Sequence, residues 1–135
     1  MDYFESNMAA MKETRNDLYE KINGYSKEST LENIVLVDSA IALDGDNYLL
    51  VQKDSNLHRL SSSYSPKTEA NKWAEHYSFN NMNVVISLFG FGSGYFVREI
   101  MNRKGTDNVL IIYEPSIDVF IHVLNNYDIK DIILN

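Results

Sequence analysis

VVISLFGFGSGY, Val84 to Tyr95, is the stretch whose reading decides the fold. An apolar run stops at three alternate glycines, Gly90, Gly92 and Gly94, and an amphipathic pattern takes over. Phe96, Val97, Ile100 and Met101 form the apolar stripe of that pattern. The order is that of a strand, a tight turn and a helix whose N-terminus faces the turn. Twenty residues beyond Gly94, a second apolar run from Val109 to Tyr113 ends in Glu114 and Pro115. Proline stops the strand, and Ser116 is placed to cap a helix carrying Ile117, Phe120, Ile121 and Leu124 on one face.

Outward from this pair, the chain from Val84 on reads strand (Val84–Phe89), helix (Gly94–Arg103), strand (Val109–Tyr113), helix (Ser116–Asn126) and strand (Asp131–Leu134). Continuous apolar strands between amphipathic helices predict a parallel sheet covered on both faces, a Rossmann-like βαβαβ half-sheet. A complete doubly wound sheet has more strands, so the expectation is the N-terminal piece of a longer protein.

The front of the chain reads differently. Phe4, Met8, Met11, Leu18 and Ile22 fall on one face of a helix from Asp2 to Asn23, with Gly24 at its end and Arg15 interrupting the stripe. Such a stripe either docks on its own domain or makes a dimer or interdomain contact. Asn33 to Leu43, Tyr48 to Gln52 and Leu57 to Leu60 are short strands joined by Asp44-Gly45-Asp46-Asn47 and Asp54-Ser55-Asn56, which predicts an antiparallel β-meander. The acidic turn lacks the later ligands of a calcium loop. Ser61 to Pro66 is a linker, Ser65 and Pro66 suit the N-cap and first position of a helix to Tyr77, and Trp73 is its packing anchor. A polar turn, Phe79 to Asn83, closes this part. The fold class is therefore α/β with an α+β front: residues 1–65 hold the helix and meander, and 66–135 the Rossmann-like part.

Composition sets limits. The chain has 135 residues, 44% of them hydrophobic, which is enough for one buried core. A net charge of −7 with no basic block argues against nucleic acid or an anionic membrane as the main partner. There is no cysteine, so disulfides, thiolate metal sites and cysteine nucleophiles are excluded. The N-terminus, MDYFESNMAAMKE, is not a secretory signal, and no apolar run has membrane-spanning length, so a cytoplasmic setting is expected.

The chemistry gathers at the glycine turn. Gly90, Gly92, Gly94 and Tyr95 could bring backbone close to a phosphate or adenosyl group, and Glu114 could accept hydrogens from a ribose. The spacing is not G-x-G-x-x-G, so two readings stay open: a nucleotide or S-adenosylmethionine site, or glycines that serve only the turn. His58, His76 and His122 stand at no metal spacing, and the serines at 61 to 63 have no nucleophile context. No catalytic set accompanies the turn.

LHRLSSSYSPKTEANKWAEHY (Leu57–Tyr77), VVISLFGFGSGYFVREI (Val84–Ile100) and VLIIYEPSIDVFIHVL (Val109–Leu124) together resemble the N-terminal part of the motility accessory factor family, in the DUF115 group. The resemblance runs from about Leu31 to the end; G-F-G-x-G-Y, Y-E-P and S-x-Y-x-P are specific only as a set. It implies a bacterial protein associated with glycosylation of flagellin by nonulosonic, sialic-acid-like sugars. Such proteins are several times longer, with the transferase-like region C-terminal to the part matched here. The implied donor is a CMP-activated sugar and the implied acceptor a flagellin Ser or Thr. This chain would then be inactive alone and require no cofactor of its own, a nucleotide or nucleotide-sugar belonging to the full-length protein, with the remaining C-terminal domains and flagellin as partners. A related DUF115 group acts in archaeal pterin pyrophosphorylation. The helix stripe and open sheet edges further predict a homo-oligomer.

Overall fold

The computed structural model describes residues 2–25, 36–79 and 83–135. Two short helices open the chain, α1 (Phe4–Thr14) and α2 (Asn16–Tyr25). The single helix expected from Asp2 to Asn23 is thus broken, and the break falls at Arg15 (φ −142°, ψ 56°), the residue that interrupts the apolar stripe. The stripe itself docks inward: Met8, Met11 and Ile22 are buried in the main core. Of the two readings of that stripe, packing on its own chain is the one observed for these residues.

β1 (Leu36–Ile41), β2 (Asn47–Lys53) and β3 (Asn56–Arg59) form the antiparallel meander, in the order β1-β2-β3. The expected start of the first strand, Asn33 to Val35, lies outside the described residues, as do Asn80 to Met82 of the polar turn. Gly45 has φ +92°, and the Asp44 carboxylate accepts the Asp46 N–H at 3.0 Å, so the acidic residues build the turn itself. α3 (Pro66–Ala74) begins as expected, with the Ser65 hydroxyl accepting the Thr68 N–H and Pro66 at the first position. It ends three residues before Tyr77. Trp73 lies edge-on to Phe96 at 5.0 Å and near Tyr77 and Phe79, anchoring α3 over the inner face of the sheet.

β4 (Val85–Phe89), α4 (Tyr95–Arg103), β5 (Val109–Tyr113) and α5 (Ile117–Asn126) follow the expected alternation. β4 and β5 pair in parallel, with Val85 opposite Val109, Ser87 opposite Ile111 and Phe89 opposite Tyr113. Ser116 caps α5 by accepting the Val119 N–H. Two expectations fail here. Asp131 to Leu134 is not a third strand: Lys130–Ile133 is a short helix, α6, packed on α1. Among the described residues the parallel sheet therefore has two strands, and the βαβαβ unit is reduced to βαβ followed by two helices.

The second failure concerns cover. Ile86, Leu88, Leu110 and Ile112 pack against buried residues of α3, α4 and α5, but the alternate residues of both strands are exposed. The helices gather on one face, and the other, expected to be covered, is bare of any described element. The main core runs through both halves of the chain, joining Met8, Met11 and Leu49 to Val97, Val123, Leu124 and Ile129.

Candidate functional site at the carboxyl edge of the parallel strands

β4 hands its last ladder bond to the turn, where the Gly90 N–H donates to the Tyr113 carbonyl at 2.7 Å. The chain then reverses through Gly90 (φ +95°), Gly92 (φ +54°) and Gly94 (φ +88°), a region that residues with a Cβ rarely enter. Between them Phe91 turns inward and meets Phe120 of α5 edge-on at 5.4 Å, while Ser93 is buried. Gly94 is the N-cap of α4. A Cβ there would stand 3.2 Å from Ile132 Cδ1, so this glycine also admits α6.

Glu114 comes off the end of β5 directly beside this turn. Its Oε2 accepts the Phe91 N–H at 2.8 Å and, more weakly, the Gly92 N–H at 3.4 Å. Its Oε1 accepts the Ser116 N–H at 3.0 Å. One carboxylate thus ties the glycine turn to the start of α5. Backbone N–H groups converging at a turn are the usual seat of an anion, and here the anion is a side chain of the same chain. Gly90, Gly92, Gly94 and Glu114 are brought together at one sheet edge. Tyr95 is directed elsewhere, its hydroxyl donating to the Asn47 carbonyl of β2 at 3.0 Å. Burial, with a smaller push from Asp46, raises the Tyr95 phenol to about 12, so it stays a donor at neutral pH.

Beside the turn, along the flank of α4, lies an open groove of about 460 Å³ lined by Lys67, Tyr95, Arg98, Asn102 and Tyr127 among others. Its cations are engaged. Arg98 holds both Asp131 oxygens, at 2.9 and 3.1 Å, and donates to the Asp128 carbonyl, which keeps the Asp131 carboxyl below its ordinary range. Lys67 pairs with Asp46 at 2.9 Å. A second open cavity, of about 320 Å³, lies in the Arg59–Tyr64 linker against Glu69. Neither is lined by Gly90, Gly92, Gly94 or Glu114.

Two polar clusters escape a reading of sequence alone. The Ser39 hydroxyl of β1 lies 2.8 Å from His122 Nε2 and 3.3 Å from the Tyr127 hydroxyl. Burial pushes the His122 imidazole below its ordinary value, with Asp38 opposing. A hydroxyl on an imidazole is the first contact of a nucleophile–base pair. Here the contact bridges the meander to α5. The other cluster is Asn7 of α1, fully buried, which donates to the carbonyls of Leu124 and Tyr127 at 2.8 and 2.7 Å and accepts the Ile129 N–H at 3.2 Å. It satisfies the last backbone groups of α5 and the turn into α6. Both clusters join residues more than eighty positions apart, with no local pattern to mark them.

Among the described residues no group of three or more His, Asp or Glu is placed to hold a metal, and no helix is long and apolar enough to cross a membrane. No protein-family model, no curated protein and no solved structure matches the chain.

Proposed function

We propose that this chain is a non-catalytic assembly or acceptor-recruiting domain of a protein of the motility accessory factor type, which modifies flagellin with nonulosonic sugars. The observation that carries the non-catalytic part is the Glu114 carboxylate, which accepts the Phe91 and Gly92 N–H groups that a phosphate would need. The link to flagellin rests on the resemblance of Leu57–Tyr77, Val84–Ile100 and Val109–Leu124 to that family. Transferase chemistry would belong to other domains of the parent protein, and this domain would work in the cytoplasm, where flagellin is made.

The competing reading is a small nucleotide- or S-adenosylmethionine-binding domain. What favours it is the meeting of three positive-φ glycines with an acidic strand end. It requires Glu114 to leave the turn and offer its oxygens to a ribose. Titration calorimetry with CMP, S-adenosylmethionine and NAD separates the two. The assembly reading expects no heat with any of them and retention of purified flagellin on the immobilised chain. Saturable heat with one nucleotide, abolished in Glu114→Ala, would establish the competitor.

A further inference from the structure

The bare face of the parallel sheet has a chemistry of its own. Val85, Ser87, Phe89, Val109, Ile111 and Tyr113 point to it, and no charged residue is among them. The five large side chains are between 53% and 75% exposed. Parallel strands are found almost only with both faces covered, and these two are apolar on both sides, as such strands are. Solvent on this face is therefore the anomaly.

The face also tapers. Register places Val85 beside Val109 at the amino end, Ser87 beside Ile111 in the middle and Phe89 beside Tyr113 at the carboxyl end. The two rings lie 5.3 Å apart and make the thick end of a wedge. A second copy laid face to face and antiparallel sets the thick end of each wedge on the thin end of the other. Val85 then meets Phe89 of the other copy, Val109 meets Tyr113, and Ile111 meets Ile111 at the two-fold axis. Sheets pack in this way about 10 Å apart.

Size and charge agree with this occupant. Aromatic side chains bury about 150–250 Å² each and the aliphatic Val85, Val109 and Ile111 somewhat less, so the exposed fractions here give roughly 500 Å² of apolar surface per copy. Two copies bury about 1,000 Å², the lower bound of a specific interface. Two chains of net charge −7 repel one another, and an uncharged face is where they can still approach. We infer that this domain dimerises through the bare face of its β4–β5 sheet, with Ile111 at the symmetry axis.

Sedimentation velocity on the whole chain tests this. The expected result is a reversible dimer at micromolar to submillimolar concentration that becomes a monomer in Ile111→Asp, which places two like charges at the axis. Far-UV circular dichroism of that variant should match the wild type, since the substituted side chain lies outside the core. Because the chain has no cysteine, single cysteines report geometry independently. Ile111→Cys should cross-link to itself with a short bifunctional thiol reagent, Val85→Cys should not, and the pair Val85→Cys with Phe89→Cys in one chain should. A monomeric wild type, a dimer that survives Ile111→Asp, or equal cross-linking at Val85 and Ile111 would overturn the inference. The first outcome would assign the face to a different protein instead.

Discussion

Replacing Glu114 by alanine removes the carboxylate that ties the glycine turn to the start of α5 by hydrogen bonds. Two well-formed bonds are lost, from Phe91 N–H at 2.8 Å and Ser116 N–H at 3.0 Å, and a longer one from Gly92 at 3.4 Å. Bonds to a charged acceptor contribute about 1.5–3 kcal/mol each. Glu114 is only half-buried, so water reaches the freed N–H groups, and the low end of the range applies. The two good bonds together then give a loss of about 3 kcal/mol, or roughly 10 °C in Tm for a chain of this length. That is a large part of the stability of an ordinary domain.

The same substitution opens the cradle. Phe91 and Gly92 then present N–H groups to solvent beside the N-terminus of α4, so sulfate or phosphate has a place to bind. Differential scanning calorimetry should find the wild type indifferent to phosphate beyond its general salt effect. Glu114→Ala should gain Tm with phosphate concentration, as binding to the folded state alone requires. Glu114→Gln keeps one acceptor oxygen and should fall between the two. If Glu114→Ala melts with the wild type, the carboxylate holds nothing. If wild type and variant respond equally to phosphate, the side chain does not occupy the anion position. Either result refutes the reading of the turn as self-filled.

Asn7→Ala strands two buried carbonyls and one buried N–H, and at about 1–3 kcal/mol for each unsatisfied group it should cost at least about 3 kcal/mol in urea denaturation. Asn7→Asp should be worse, because it turns a second oxygen on those carbonyls. His122 has its folded-state pKa lowered below the ordinary 6.5, so the unfolded chain binds the proton more readily. Its contribution is whole above that ordinary value and is lost as pH falls through the lowered one; His122→Asn should flatten this part of the stability–pH curve. Gly94→Ala should destabilise more than Gly92→Ala, since only position 94 adds a close neighbour, Ile132, to a positive φ. Gly92→Asn should be the mildest change at the turn, because asparagine tolerates φ near +54°.

What was legible in the sequence was local. Apolar runs broken by glycine or proline located β4, β5 and the helices after them, and Ser65 and Ser116 marked two helix starts by chemistry that acts within three residues. The juxtaposition of Gly90 to Gly94 with Glu114 was legible too, because a parallel βαβ unit sends both strand ends to one edge. The direction of the Glu114 oxygens was not, since it depends on the rotamer and on whether Ser116 or a ligand offers the better donor. Asn7 and the Ser39–His122 contact were invisible for a related reason. A single polar residue in an amphipathic helix or a strand has no period, and its partner lies across the fold.

Of the misread elements, Asp131 to Leu134 bears most on the site. Ile132 and Ile133 are adjacent, apolar and both buried, which as a bare pattern fits a strand inside a sheet. They are buried instead because α6 sits in a corner, between α1 and the start of α4, where neighbouring helix positions both find cover. The Thr14 hydroxyl donates to the Ile133 carbonyl and Asn7 holds the turn before it, so α1 fixes the corner from the other side. This accounts for the third glycine of the turn. Gly90 and Gly92 have open space where a Cβ would stand and need only their positive φ, whereas Gly94 is also what lets Ile132 reach α4. A spacing that looks made for a ligand is thus filled twice by the chain itself, at Gly94 by α6 and at Phe91 and Gly92 by Glu114. The helix that replaces the third strand also leaves the sheet with two strands, its turn closed and its opposite face free for another protein surface.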